Sequence, residues 1–335
     1  MCSTQNQETS EFVKEYYGKT LNETSEQLTD ACSWDKTCMP AHFKKALKLV
    51  HCDVKSKHFG CGLVAPQALE GTRVLDLGSG SGMDVYTLAN LVQENGHVTG
   101  VDMTDELLDI AKKYLDHHRD AFGYKESNVD FKKGYIEDLK TPGIPSDSYD
   151  VVVSNCVVCL STNKKAVLSE VYRVLKNGGE MYFSDMYADR HVPPELSKEK
   201  ILWGEGLSGS LYWKEFLELA KEVGFQQPYL VSSRKLTLSP KMKEYTGDIE
   251  YAALTYRLFK IDNKVQDNSL YTATYNGTIP NYPDSLNFHK QAQFQKGSPL
   301  LIDGFLATVL RTSRFNTAFT IEKYEPDHNP FKAES

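Results

Sequence analysis

Val74-Leu75-Asp76-Leu77-Gly78-Ser79-Gly80-Ser81-Gly82 is the stretch on which the fold turns. Its first residues, with Arg73, form a short apolar run of the kind that makes a buried strand. Three closely spaced glycines follow, so the backbone can turn tightly and approach a ligand with no Cβ in the way. Helical periodicity begins directly behind them, from Asp84 to Leu91. A glycine loop between a strand and a helix N-terminus offers backbone N–H groups to a polar ligand. The spacing is Gly-x-Gly-x-Gly, with Met83 where the dinucleotide fingerprint has its last glycine, which argues against a nicotinamide cofactor. Asp102 ends the next apolar run, Val98 to Asp102, 24 residues after Gly78. An acidic side chain at that place can accept hydrogen bonds from both hydroxyls of a ribose.

Outward from this unit, strands and helices keep alternating. Thr104 is an N-cap candidate, with Asp105 and Glu106 in the first turn of the helix behind it. Val129 to Lys132, Tyr149 to Ser154 and Glu180 to Ser184 read as strands. A helix over about 164–176 is closed by Asn177-Gly178-Gly179, and another spans Ser210 to Val223. Such alternation predicts parallel pairing in an open, doubly wound α/β sheet. Residues 1–70 form an N-terminal helical segment with Phe12, Val13, Tyr16 and Tyr17 at helical spacing. Residues 71–240 form the sheet domain. Beyond about 240 the texture shifts to Tyr, Asn, Pro and Thr, which predicts a smaller C-terminal domain over 241–335.

Composition narrows the function classes. The formal net charge is −7, and no Lys/Arg run is long enough to make a nucleic-acid face. No stretch reaches the roughly 18 apolar residues of a membrane span, and the N-terminus lacks a signal-peptide pattern. The expectation is a cytosolic chain with reduced thiols, and a monomer. Seven cysteines, Cys2, Cys32, Cys38, Cys52, Cys61, Cys156 and Cys159, all lie before residue 160. An odd count in a reducing compartment suits thiol chemistry better than a disulfide framework.

With Asp76, Gly78, Gly80, Gly82 and Asp102 in place, residues 71 to 186 resemble the Rossmann-like class I S-adenosylmethionine methyltransferases. The resemblance implies that these residues bind S-adenosylmethionine. It puts Met103 against adenine, the Ile136-Glu137-Asp138 loop at the adenine amino group, and Asn155 beside the methionine part. The implied fold class is a Rossmann-like, doubly wound class I methyltransferase sheet with an N-terminal helical segment and a smaller C-terminal domain.

A longer set of motifs narrows the acceptor. Tyr16-Tyr17-Gly18, Leu28-Thr29-Asp30-Ala31-Cys32, Phe59-Gly60-Cys61-Gly62, Ser154-Asn155-Cys156-Val157 and Leu202-Trp203-Gly204-Glu205 occur in this order. Together they resemble the arsenite methyltransferases, and the likeness runs over nearly the whole chain. It implies that Cys32, Cys61 and Cys156 are the catalytic thiols and that Cys61 and Cys156 bind arsenic. An external thiol, glutathione or thioredoxin, then serves as reductant. The family's fourth cysteine is here Gly206, and Phe59 stands where the family often carries tyrosine. Trivalent arsenic takes thiolates in a pyramid, so its lone pair is free and no general base is required. With two thiolates only, the expectation is poor binding of arsenite and a preference for methylarsonous species. Cys38, Cys52 and Cys159 match no catalytic position and read as buried or surface thiols.

Two other readings use the same residues. A carbon or oxygen methyltransferase acting on a quinone- or lipid-like molecule would share the sheet but need no thiols. A zinc module built on Cys32-x5-Cys38 and Cys52-x8-Cys61 has the wrong spacing, because structural zinc uses tight C-x2–4-C pairs.

Overall fold

The computed structural model describes residues 2–21, 39–62, 64–262 and 265–326, with side chains from residue 8 onward. Cys32 and Cys38 lie outside the described residues. The strands are β1 (Arg73–Leu77), β2 (His97–Asp102), β3 (Val129–Lys133), β4 (Tyr149–Asn155), β5 (Leu175–Ala188), β6 (Leu211–Tyr212), β7 (Tyr229–Lys235), β8 (Tyr251–Phe259), β9 (Leu270–Tyr275), β10 (Ser285–His289), β11 (Ala292–Gln295), β12 (Pro299–Asp303) and β13 (Phe319–Lys323). The helices are α1 (Cys2–Glu15), α2 (Ala41–Leu49), α3 (Cys52–Ser56), α4 (Met83–Val92), α5 (Asp105–Lys113), α6 (Leu115–Phe122), α7 (Lys164–Val174), α8 (Lys200–Gly204), α9 (Trp213–Val223), α10 (Pro240–Thr246) and α11 (Gly304–Thr312). Among the described residues no helix is long and apolar enough to cross a membrane.

The central sheet runs β3-β2-β1-β4-β5-β8-β7, with β6 beside the end of β5. Pairing is parallel from β3 to β5, then antiparallel across β5–β8 and β8–β7. The parallel strands are apolar on both faces because both faces are covered. Along β4, Val152 packs with α7 and α9, whereas Val151 and Val153 pack with α4 and α5. Each Val or Leu buried there stabilises the fold by roughly 1.5–3 kcal/mol. The doubly wound sheet expected from the alternation is therefore present, with the glycine loop at the C-terminal end of β1.

Two boundaries differ from the sequence expectation. The helix expected to reach residue 176 ends at Val174, and β5 begins at Leu175 with Gly178 at φ +78°. β8 lies past the domain boundary expected at 240, yet it pairs with β5 along its whole length, from Tyr251↔Ala188 to Phe259↔Glu180. The sheet thus closes near residue 260. Its edge carries the remaining unit, in which β12-β9-β13 form an antiparallel sheet beside the β10–β11 hairpin and α11. Phe259 and Tyr229 from the main sheet share a core with Phe288, Phe294 and Phe315. Under that core, Arg257 and Arg314 both pair with the fully buried Glu180, and Arg257 also donates to the Phe288 carbonyl at 2.9 Å. Burying three charges together is tolerated because the Glu180 carboxylate is paired with both guanidinium groups.

Candidate active site

A cleft of about 960 Å³ opens at the C-terminal ends of β1, β2 and β4. This is the edge at which open α/β sheets bind ligands. Asp76, Gly78, Gly80, Asp102, Met103, Ile136, Glu137, Asn155 and Cys156 all line it. Gly82 lies at the start of α4 rather than in the lining. Asp138 is also outside, capping its own turn through the Lys140 and Thr141 amides.

The glycine loop is built by backbone. Gly78, Gly80 and Gly82 sit at φ +70°, +52° and +91°. Asp102 fixes the loop from the next strand, with the Gly80 N–H donating to its Oδ2 and the Thr104 N–H to its Oδ1, both at 2.8 Å. Burial raises the Asp102 carboxyl above its usual range, against the pull of the Thr104 and Gly80 amides. Asp76 is pushed well above the usual range, first by burial and then by the charges of Asp84 and Asp102. Asp84, which the sequence reading did not single out, joins the two carboxylates in the lining. Its place in the first turn of α4 was a signal available in the sequence.

The cleft fits an adenosyl ligand on its own geometry. A Cβ on Gly80 would meet no protein atom closer than Leu107 Cδ1 at 3.9 Å, so the loop leaves open space beside it. The Ser79 hydroxyl is buried with no hydrogen-bond partner among the described residues. Each Asp102 oxygen has one described amide donor and retains a lone pair for a hydroxyl.

Asn155 joins this half of the site to the thiols. Its Oδ1 accepts from the amides of Cys61 at 2.9 Å and Gly62 at 3.3 Å. Its Nδ2 donates to Asp84 Oδ2 at 2.9 Å and to the Gly62 carbonyl at 3.2 Å. These four bonds use the whole amide, so Asn155 clamps the Cys61 loop onto the end of β4.

Cys61 is 1% exposed, with its sulfur 3.7 Å from the Ser184 hydroxyl, and Cys156 is 9% exposed. Cys156 has φ +63°, a left-handed conformation uncommon outside glycine. Its N–H is held by the Ser184 carbonyl at 2.8 Å. The turn sends the chain back over β5, so that the Cys159 amide donates to Asp185 Oδ2 at 2.9 Å. The neighbouring Cys159 and Cys61 thiols, together with burial, hold the Cys156 thiol well above the usual thiol range.

The N-terminal motifs close the other side. Tyr17 lines the cleft, and its hydroxyl donates to the Gly204 carbonyl at 2.6 Å. The Tyr16 hydroxyl donates to Glu205 at 2.7 Å. Burial, then that bond, pushes the Tyr16 phenol up beyond the normal tyrosine range. The Tyr17 ring meets Phe59 edge-on at 5.3 Å. Two motifs nearly 190 residues apart are thereby joined at the mouth of the cleft.

The sheet order, the glycine loop after β1 and the carboxylate ending β2 define an S-adenosylmethionine-dependent methyltransferase of class I. Residues 68–224 match the family model of a methyltransferase domain, and residues 268–334 match that of the arsenite methyltransferase C-terminal domain. The chain is 44% identical to the arsenite methyltransferase of Mus musculus over 92% of its own length and 82% of that protein's. It is 42% identical to that of Homo sapiens, over 96% and 86%. An arsenic (III) S-adenosylmethionine methyltransferase from Chlamydomonas reinhardtii superposes with a TM-score of 0.82 at 39% identity, covering 86% of this chain and 98% of that one. The chain belongs to the arsenite methyltransferase family.

Proposed function

We propose that this chain methylates trivalent arsenic held by the thiolates of Cys61 and Cys156. The observation that carries the reading is the Cys156 thiol in the lining of the cleft, with Cys61 in the same buried cluster. S-adenosylmethionine supplies an electrophilic methyl group when bound. Asp102 takes the ribose hydroxyls, Met103, Ile136 and Glu137 flank the adenine, and the loop of Gly78, Gly80 and Gly82 with Asp76 receives the methionine end. Asn155 holds the Cys61 loop against the end of β4, next to Cys156. Fixing arsenic in line with the methyl group is the main catalytic task, because the arsenic lone pair is itself the nucleophile.

Arsenic leaves such a transfer oxidised, so an external thiol such as glutathione or thioredoxin must return it to the trivalent state. Cys32 with Cys61 is the pair proposed to mediate that exchange. The chain works in the cytosol as a monomer on small arsenicals, without nucleic acid or membrane. Counted alone, Cys61 and Cys156 satisfy a monomethylarsonous species. Arsenite takes a third thiolate, which Gly206 does not provide.

The test is Cys156→Ser. The variant should retain S-adenosylmethionine affinity and lose both arsenical binding and methylarsenical product. Arsenical binding and methyl transfer that survive in both Cys156→Ser and Cys61→Ser would favour a carbon or oxygen acceptor instead.

A further inference from the structure

We propose that Cys159 is the third thiolate of the arsenic site, an inference that rests on the proposed function above. The Cys156 and Cys159 sulfurs and an Asp185 carboxylate oxygen all lie within 4.8 Å of one another. Cys61 is buried in the same cluster, its sulfur 3.7 Å from the hydroxyl of Ser184, the residue before Asp185. Cys61, Cys156 and Cys159 share one buried apolar cluster with Met186, Leu202 and Leu207. Two thiols already within reach of one atom, with Cys61 in the same cluster, can supply the three sulfurs that arsenite takes, whereas a pair cannot.

Position 206 explains the room for Cys159. A Cβ on Gly206 would lie 3.1 Å from the Cys159 sulfur and would overlap the Met186 methyl. The space a side chain at 206 would enter is thus already held by the Cys159 sulfur and the end of Met186. Gly206 is at φ +76° and is tied down on both sides, its N–H to the Trp203 carbonyl at 2.8 Å and its carbonyl to Ser210 Oγ at 2.8 Å. Trp203 Nε1 in turn donates to the Leu160 carbonyl at 3.0 Å, which locks the Cys159 turn against the same segment. The thiol missing at 206 is replaced, in space, by one from the turn after β4.

Asp185 fixes the turn that carries Cys159. The Cys159 amide and the Met186 amide hold the two Asp185 oxygens, and the Cys159 thiol faces the same carboxylate. Arsenic would take the Cys159 sulfur in its deprotonated form, as metal-like centres take thiolates. The exchange balances without redox chemistry. Three arsenic–oxygen bonds of arsenous acid break and three arsenic–sulfur bonds form. Each thiol proton leaves with a hydroxide as water, and arsenic stays trivalent.

Arsenic K-edge absorption of the reduced protein, loaded with arsenite in the absence of small-molecule thiols, counts the sulfur neighbours. Three sulfurs are expected for the unaltered chain, and two sulfurs with one oxygen for Cys159→Ser. Arsenite affinity should fall about tenfold or more in that variant, with monomethylarsonous affinity changed by less than about threefold. Cys159→Ala gives the same reading should the serine hydroxyl disturb Asp185, and retained S-adenosylmethionine binding verifies either fold. Three sulfurs in both Cys159 variants, or undiminished arsenite affinity, would overturn the assignment. Undiminished binding of both arsenicals in Cys156→Ser would instead overturn the arsenic reading itself.

Discussion

The two halves of the cleft are made in different ways. On the cofactor side, backbone does the work: three positive-φ glycines, two amides on Asp102, and a strand end that follows the loop closely in sequence. On the thiol side, side chains from remote segments converge, with Cys61 from the N-terminal segment, Cys156 and Cys159 from the turn after β4, and Gly206 from the segment after α8. A backbone-built site is fixed by local geometry and tolerates little variation. A side-chain-built site can exchange one contributor for another that reaches the same point, and Cys159 beside Gly206 is such an exchange.

The largest effect expected in the backbone-built half is on cofactor affinity. Asp102→Ala removes a charge-assisted acceptor and also releases the Gly80 and Thr104 amides. Cofactor binding should weaken by about 1.5–3 kcal/mol, roughly one to two orders of magnitude in Kd. Calorimetric titration with S-adenosylmethionine measures it, and the arsenical affinity of the same variant should barely change. Coupled loss of both would mean that the halves are not separable.

The same contrast explains what could be read in advance. The motif from Val74 to Asp102 is contiguous, and each residue's role follows from spacing, so strand, loop and helix stood where expected. The motif pairs Tyr16-Tyr17 and Gly204-Glu205 were visible as motifs, but their meeting depends on the packing of α1 over α8. Cys159 matches no family position, yet Cys156-x2-Cys159 is a tight C-x2-C pair, a ligand-spacing signal that the reading as a buried or surface thiol leaves unused. Its relevance arises from the left-handed turn at Cys156 and the empty Cβ position at 206. Neither leaves a trace in composition. β8 lies past the boundary expected at 240, where the texture changes, yet it is a mostly apolar strand that pairs with β5.

Asp76 exposes a cost of building the cofactor half from buried carboxylates. Its carboxyl is raised by burial first and by Asp84 and Asp102 next, so the folded chain keeps a proton that the unfolded chain releases near pH ~3.9. The stability linked to this group is complete below that pH and is lost as pH rises towards the folded value. Asp76→Asn should therefore melt above the unaltered protein at neutral pH, with the gain shrinking on acidification to about pH 4. Thermal melts of both proteins at the two pH values decide it, and an identical difference at each would show that Asp76 is not strained by its neighbours.

The smallest effect tests the exchange at 206 directly. Gly206→Cys places a side chain at φ +76°, which costs about 1–2 kcal/mol of folding stability for an L-residue. The overlap with the Met186 methyl adds less, because a thioether chain can swing away. Denaturant titration should show that loss. Arsenite affinity is the sharper reading. Arsenic takes three sulfurs, so with Cys159 already supplying the third, a thiol at 206 leaves the affinity unchanged. A large gain in arsenite binding on Gly206→Cys would mean instead that the site has only two thiolates and that Gly206 marks a preference for methylated arsenicals.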